Sequence, residues 1–336
     1  DLTRHPDAKH WFGGWSPDGD RFAFASNRRD HAVFDVYVQA RDTTGADARR
    51  VYEGDGWFSV AGWSPDGDRL LLTESHSSFD QDVFVLDVAT GERRHLTPHE
   101  DTVRHLSATW GPDGEHVYLV TDRDTDTLRL SRIDLSTDEL SPVEAASDDE
   151  TGLADDEWNV DGVALDQDSR RLVYSRNVDG YTELGVGELV APGRLDHFPS
   201  PDLPACVAGG VSFGPDGDRF ALTVTRSDDT ANVYVVDARS GDTERWTRAS
   251  TAGIPRDSFV APELVRYPSV DGREIPAFFS LPETDTGHGE TPVVVDVHGG
   301  PESQRRPSFG RVKQYLLSRG YAVFEPNVRG STGYGK

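Results

Sequence analysis

The chain has 336 residues, with 59 Asp+Glu against 34 Lys+Arg and a formal charge of -25. Such an acidic balance argues against nucleic acid or an anionic membrane surface as partner, because their phosphates would be repelled. The single cysteine, Cys206, rules out an intrachain disulfide and a cysteine metal cluster, and its default reading is a lone buried thiol.

Lysine occurs only at positions 9, 313 and 336, so nearly all positive charge is arginine. The acid is spread along the whole chain. This pattern suits folding in concentrated salt, where the screening length falls to about 3 Å and repulsion between surface carboxylates nearly vanishes. The expected setting is a salty cytoplasm. No run of eighteen apolar residues is present, and no signal peptide is visible. The sequence has no Met, even at position 1, so Asp1 is not expected to be the biological start and a targeting segment could lie upstream.

Repeats dominate the first 250 residues. W-S-P-D-G-D-R starts at Trp15 and again at Trp63, and W-G-P-D-G-E-H starts at Trp110. A worn copy, L-D-Q-D-S-R-R, starts at Leu165, and F-G-P-D-G-D-R starts at Phe213. In each clear copy Pro presets φ, Asp caps the turn and Gly takes the positive φ, so the motif joins two strands. A third strand follows, from Asp35, Asp82 or Asn232 in the clearer copies. A T-G-E or S-G-D turn then leads to a short fourth strand ending at Leu96-Thr97 or Trp246-Thr247. Four strands at a period near fifty predict one propeller blade per repeat, with the repeated Trp, Phe or Leu packing between blades. Asp1-Leu2-Thr3 aligns with the end of a blade. The reading is therefore a propeller over residues 1–255 with about five visible blades, incomplete at its N-terminus.

The pattern changes over residues 256–336. Pro262 to Pro282 reads as a hairpin turning at Asp271-Gly272. V-V-V-D-V from Val293 reads as a short buried parallel strand. The segment around Phe309, Val312, Tyr315 and Leu316 reads as a helix closed by Gly320, and another buried strand begins at Tyr321. Strand, helix, strand predicts a right-handed crossover in a parallel α/β sheet.

His298-Gly299-Gly300 ends the strand at 293–297. In open α/β sheets ligands bind beyond the carboxyl ends of strands. Two glycines there let amide N–H groups face a site without steric cover, where they can stabilise an oxyanion, the role of the His-Gly-Gly motif in α/β-hydrolases. A tight turn without chemistry is the alternative.

Pro-Asp-Gly repeats joined to D-V-H-G-G-P-E from Asp296 and N-V-R-G-S-T-G-Y-G from Asn327 resemble the prolyl oligopeptidase family of serine peptidases. The resemblance spans essentially the whole chain, and the H-G-G-P form is nearest the acylaminoacyl-peptidase and dipeptidyl-aminopeptidase-like branch. It implies a β-propeller followed by the start of an α/β-hydrolase domain. It also implies hydrolysis of short peptides through an acyl-enzyme, with the propeller limiting entry. A backbone N–H at Gly299 or Gly300 would be one oxyanion donor, with a direct role for His298 left open. Pro301, Glu302, Asn327, Arg329, Gly330 and Tyr334 would form a structural loop beside the site. No metal or cofactor is implied, and oligomerisation is left undetermined.

The family's Ser, Asp and His are expected beyond Lys336, which would leave residues 1–336 inactive. G-V-S-F-G from Gly210 fits the nucleophile pattern, but Ser212 aligns with Gly14 and Gly62 on a strand before a Pro-Asp-Gly turn, so it is rejected. G-S-T-G-Y-G-K from Gly330 fits a phosphate loop, but the upstream H-G-G-P and the propeller have no place in an NTPase, so that reading is set aside. Asp122, Asp124 and Asp126 alternate as in calcium loops, yet without the closing Glu they read as a solvated loop. Asp155-Asp156 is too weak a match to an amino-terminus clamp. Arg305 and Arg306 could meet a substrate carboxylate or form ordinary salt bridges. A non-enzymatic TolB-like propeller scaffold and an esterase on the same fold remain as alternatives.

Overall fold

The computed structural model describes all residues except 1, 148–152, 154–156, 284–289 and 301, so Pro301 and the Asp155-Asp156 pair lie outside the described residues. Compact packing divides the chain into two units. The first comprises Asp1–Ala154, Val160–Tyr174 and Glu188–His197, and the second comprises Asp155–Asn159, Ser175–Gly187 and Phe198–Lys336.

Six sheets of four or five strands form among the described residues. Five of them carry one repeat each. All five repeats place the motif between antiparallel strands: His10–Trp15 with Arg21–Ser26, Phe58–Trp63 with Arg69–Ser77, His105–Trp110 with His116–Thr121, Val160–Leu165 with Arg171–Val178, and Val207–Phe213 with Arg219–Arg226. Gly19, Gly67, Gly114 and Gly217 all sit at φ between 66° and 75°. The turn closes when the Gly19 amide donates to the Ser16 carbonyl at 2.8 Å, and Gly67 does the same to Ser64 at 2.9 Å. The Asp after each Pro accepts from the amide two residues on, at 3.0 Å in Asp18 and Asp66.

The worn fourth copy reaches the same end differently. Its left-handed residue is Arg170 at φ 59°, one place later than the glycines, and Asp166 accepts from the Ser169 amide at 2.9 Å. The Asp166 amide still reaches the Arg171 carbonyl at 2.9 Å, so the strand pair is kept. This sheet also gains a fifth strand, Glu144–Ala145, parallel to Arg194–His197, which the repeat pattern did not predict.

The fourth strands stop two residues short of the expected ends at Thr97 and Thr247, at Arg93–His95 and Thr243–Arg245. The threonine then extends the ladder through its side chain. The Thr97 hydroxyl accepts from the Val83 amide at 2.9 Å, and Thr247 accepts from Val233 at 2.8 Å.

Within the first unit Trp63 and Trp110 pack between sheets, as their register suggested, while Trp15 is exposed. The Trp63 indole donates to the Gly14 carbonyl of the preceding sheet at 3.1 Å, and Trp110 donates to Gly62 at 3.3 Å. Both acceptors lie where a bulge interrupts the strand ladder, which frees the carbonyl. The arginine after each turn completes the contact. Arg21 lies over the Trp63 ring at 5.1 Å and donates to the Gly67 carbonyl, while Arg69 lies over Trp110 at 4.9 Å and donates to Gly114. Buried apolar clusters fill the space between these sheets, with Phe58, Leu70 and Phe84 in one and Leu71, Val117 and Leu119 in the next.

In the second unit, Glu263–Pro268 and Glu274–Ser280 form the expected hairpin, with Gly272 at φ 82°. Ala322–Pro326 pairs antiparallel with Glu274–Ser280 and parallel with Val293–Val295. The helix Arg311–Ser318 joins the parallel pair. It ends as predicted on Gly320 at φ 85°: the Tyr321 amide donates to Leu316 and the Gly320 amide to Leu317, at 3.1 and 3.0 Å.

Two expectations for this segment need correction. The valine-rich strand is not buried. It is the outermost strand of its sheet among the described residues, and Val293, Val295 and Val297 are each more than half exposed. The helix does not bury the apolar positions read from its sequence either. Val312 and Tyr315 are exposed, and Lys313, Gln314 and Leu317 face inward. The reason is a polar partner set. Lys313 Nζ lies 3.0 Å from Glu325 and donates to the Ser227 hydroxyl, and Gln314 donates to the carbonyls of Ser227 and Val260, each at 2.8 Å.

Candidate functional site

The His-Gly-Gly turn follows the strand Val293–Val295 at its carboxyl end, as the sequence required. Its two glycines are glycine for different reasons. At Gly299 an added Cβ would meet nothing within 4 Å, so its amide is left without steric cover. At Gly300, φ is 128° and a Cβ would come within 2.6 Å of the Glu302 amide nitrogen, so only glycine is tolerated. Both residues are exposed, and their amide N–H groups have no acceptor among the described residues.

His298 is nine-tenths buried, and its ring reaches the second motif. Its Nε2 lies 2.8 Å from the Ser331 hydroxyl. Ser331 commits its one proton to the Val328 carbonyl at 2.6 Å. The ring thus bridges the two motifs, with Nε2 on Ser331 and Nδ1 3.0 Å from the Gly299 carbonyl. His298 is thus the clamp that ties the two glycine-rich motifs together.

A second tie runs through Asn327, which is buried. Its Oδ1 accepts from the Arg305 amide at 2.7 Å, and its Nδ2 donates to the Arg305 carbonyl at 3.1 Å and to the Tyr334 hydroxyl at 3.0 Å. The Thr332 amide donates to the Ser303 carbonyl at 3.0 Å. Burial pushes the Tyr334 hydroxyl above the usual tyrosine range. Tyr334 also makes an edge contact with Trp158 at 6.1 Å. Asn327, Tyr334 and His298 are therefore brought together as one scaffold. Arg329, Gly330 and Glu302 lie on its exposed rim, with Arg329 paired to Asp271.

Neither arginine after the turn is left waiting for a carboxylate. Arg305 pairs with Asp296, and Arg306 donates to the Gly180 carbonyl at 2.8 Å and the Thr182 hydroxyl at 2.9 Å. Gln304 accepts from Asn177 Nδ2 at 2.8 Å, so the segment after the turn is held from several sides. The chemistry this arrangement offers is a pair of unengaged amides on a braced turn, well suited to an oxygen that acquires negative charge.

The other candidates resolve simply. Ser212 sits within a hairpin strand opposite Ala221, and a strand, not a helix, comes next. Asp122 is not a solvated loop carboxylate. It is buried and paired with Arg104 at 2.7 Å, while Asp124 and Asp126 are exposed. Cys206 is buried, and burial pushes its thiol up to about 11. No helix among the described residues is long and apolar enough to cross a membrane.

No family model matches the chain. Among curated relatives, dipeptidyl aminopeptidase BIII of Pseudoxanthomonas mexicana is 24% identical over 96% of this chain and 59% of its own length. Dipeptidyl-peptidase 5 of Porphyromonas gingivalis is 21% identical over 98% of this chain and 41% of its own. Among solved structures, a puromycin hydrolase superposes with a TM-score of 0.79 at 18% identity, covering 98% of this chain and 51% of that one. A puromycin-hydrolyzing peptidase of Mycobacterium tuberculosis gives 0.77 at 22% identity, covering 96% and 50%. The chain thus spans about half the length of these relatives. The likeness to the prolyl oligopeptidase family carried by the repeats and the two glycine-rich motifs is borne out, and the repeated sheets have the fold of that family's propeller.

Proposed function

We propose that this chain is the propeller and the first α/β part of a serine peptidase that cleaves short peptides, in the manner of the dipeptidyl and acylaminoacyl peptidases. Residues 1–255 would form the propeller that limits entry, and residues 256–336 would begin the α/β-hydrolase domain. The amides at Gly299 and Gly300 would receive the carbonyl oxygen as it becomes an oxyanion. A serine would attack the peptide carbonyl, a histidine would carry its proton to the leaving amine, and an aspartate would orient that histidine. In this reading all three belong to sequence after Lys336, in keeping with relatives about twice as long as this chain. A cytoplasmic setting, without nucleic acid or membrane as partner, follows from the same reading of charge.

The observation that carries the proposal is the His-Gly-Gly turn itself. It offers two exposed amides without acceptors among the described residues, at the carboxyl end of a parallel strand, on a turn locked by His298 and Asn327. The test uses the full-length protein. A fluorophosphonate probe should label one serine, and that labelling should abolish hydrolysis of a chromogenic dipeptide amide, while residues 1–336 alone show neither. Labelling without peptide cleavage but with ester cleavage would favour an esterase, and no labelling at all would favour a binding scaffold.

A further inference from the structure

A second constellation lies on the sheet of the second repeat. Arg69–Ser77 and Asp80–Asp87 pair antiparallel, and the register sets Glu74 directly opposite Asp82. Two carboxylates facing each other across a strand pair repel unless something compensates them. His76, two residues on from Glu74 where a bulge interrupts the ladder, turns its ring to the same side. Its Nε2 lies 3.0 Å from Asp82 Oδ2. One ligand atom from each of Glu74, His76 and Asp82 lies within 4.8 Å of the other two.

The surroundings hold these groups in place. The Glu74 carboxylate packs against Gly56, where a Cβ would come within 2.2 Å of it, and its nearest cation, Arg93, stays 3.9 Å away. Burial, with the nearby carboxylates of Asp55 and Asp82, holds Glu74 above the usual carboxylate range. Asp82 is braced from its other side. Its Oδ1 accepts from His95 Nε2 at 2.7 Å, and His95 stacks on Phe84 with ring centroids 4.5 Å apart. His99 stands on the same side, with Nδ1 on the Thr97 carbonyl and 3.4 Å from Asp82 Oδ1, and Nε2 on Asp80.

We propose that Glu74, His76 and Asp82 bind one divalent transition-metal ion of the zinc type, through a ring nitrogen of His76 and one oxygen from each carboxylate. Ligands about 2.1 Å from a tetrahedral zinc lie about 3.4 Å from one another, so small side-chain adjustments close the site. The ion replaces the repulsion of the cross-strand carboxylates with attraction. His95 is the outer partner that orients Asp82, as metal-bound carboxylates require. Three protein ligands leave a fourth position for water or an exogenous anion. Mixed imidazole and carboxylate donors favour zinc over magnesium or calcium.

The site is tested by titrating the full-length protein, dialysed against chelator, with zinc chloride in a calorimeter. One equivalent should bind. His76→Gln and Glu74→Gln should each weaken it at least tenfold. His95→Gln should weaken it by about 10- to 100-fold, as for other outer partners. His31→Gln, on an exposed loop outside the cluster, should leave it unchanged. His76 is itself largely exposed, so its variant should fold, and a zinc-induced rise in melting temperature should appear in the parent and vanish in His76→Gln. Binding without defined stoichiometry, or one tight equivalent that survives His76→Gln, would overturn the assignment.

Discussion

Replacing Lys313 by Met tests whether the inward face of the helix is held by charge. Lys313 and Glu325 are 5% and 7% exposed and lie 3.0 Å apart. At that distance, with an effective dielectric near 20, their attraction is about 5 kcal/mol. Withdrawing each ion from water costs several kcal/mol, so the pair as a whole contributes little net stability. Removing one partner is different, because the survivor keeps its desolvation and loses its compensation. Lys313→Met should therefore destabilise the protein by about 3–5 kcal/mol. The double variant Lys313→Met with Glu325→Leu should recover most of that loss, since two apolar side chains of similar volume replace the buried ions. The measurement is urea unfolding of parent, both single variants and the double variant at fixed salt, read as a double-mutant cycle. A single-variant loss below about 1 kcal/mol, or a double variant no more stable than the singles, would show that the pair is effectively solvated and the reasoning wrong.

Three further outcomes follow from the same structure. Burial holds His105 at about 4, below its unfolded value of 6.5, so the unfolded chain takes up the proton first. Its contribution is present above pH 6.5 and is lost as pH falls toward 4, by roughly 3 kcal/mol in all, and His105→Leu should flatten that part of the stability–pH curve measured by urea melts. With a formal charge of -25, the melting temperature should climb between 0.1 and 2 M KCl, and a flat profile by calorimetry would remove the salt-adaptation argument. Trp110→Phe keeps the ring but deletes the indole donor to Gly62, and should lose about 1 kcal/mol by the same unfolding assay.

The propeller repeats were legible because their information is local. A Pro-Asp-Gly turn demands one strand before it and one after, and the demand is repeated four times. Even the worn copy kept its hairpin, although Arg170 rather than the residue aligned with glycine takes the left-handed conformation. The hairpin at Gly272 and the glycine cap at Gly320 were legible for the same reason. What failed depended on partners far along the chain. Lys313 and Gln314 read as solvent-facing because nothing nearby announces Glu325, Ser227 or Val260. The valines at 293–297 read as buried because hydropathy records only that a strand is apolar, not what covers it. At the candidate site the glycines were found by motif, but the roles of His298 and Asn327 as clamps required the fold, which brings residues about 20 to 30 positions apart into contact. The histidines around Asp82 were missed altogether. The available signal was Glu74 and His76 at strand spacing, and only the register reveals that Asp82 stands opposite.

The tryptophan–arginine contact between successive sheets has a consequence for how such a chain can change over evolutionary time. Each hook grips a backbone carbonyl and a flat ring, groups that every repeat with the same bulge, Trp and Arg supplies. Repeats that keep these and the apolar filling share one kind of seam. Duplication, deletion or grafting of whole repeats leaves the seams intact, so the number of blades can drift while each junction stays familiar to its neighbours.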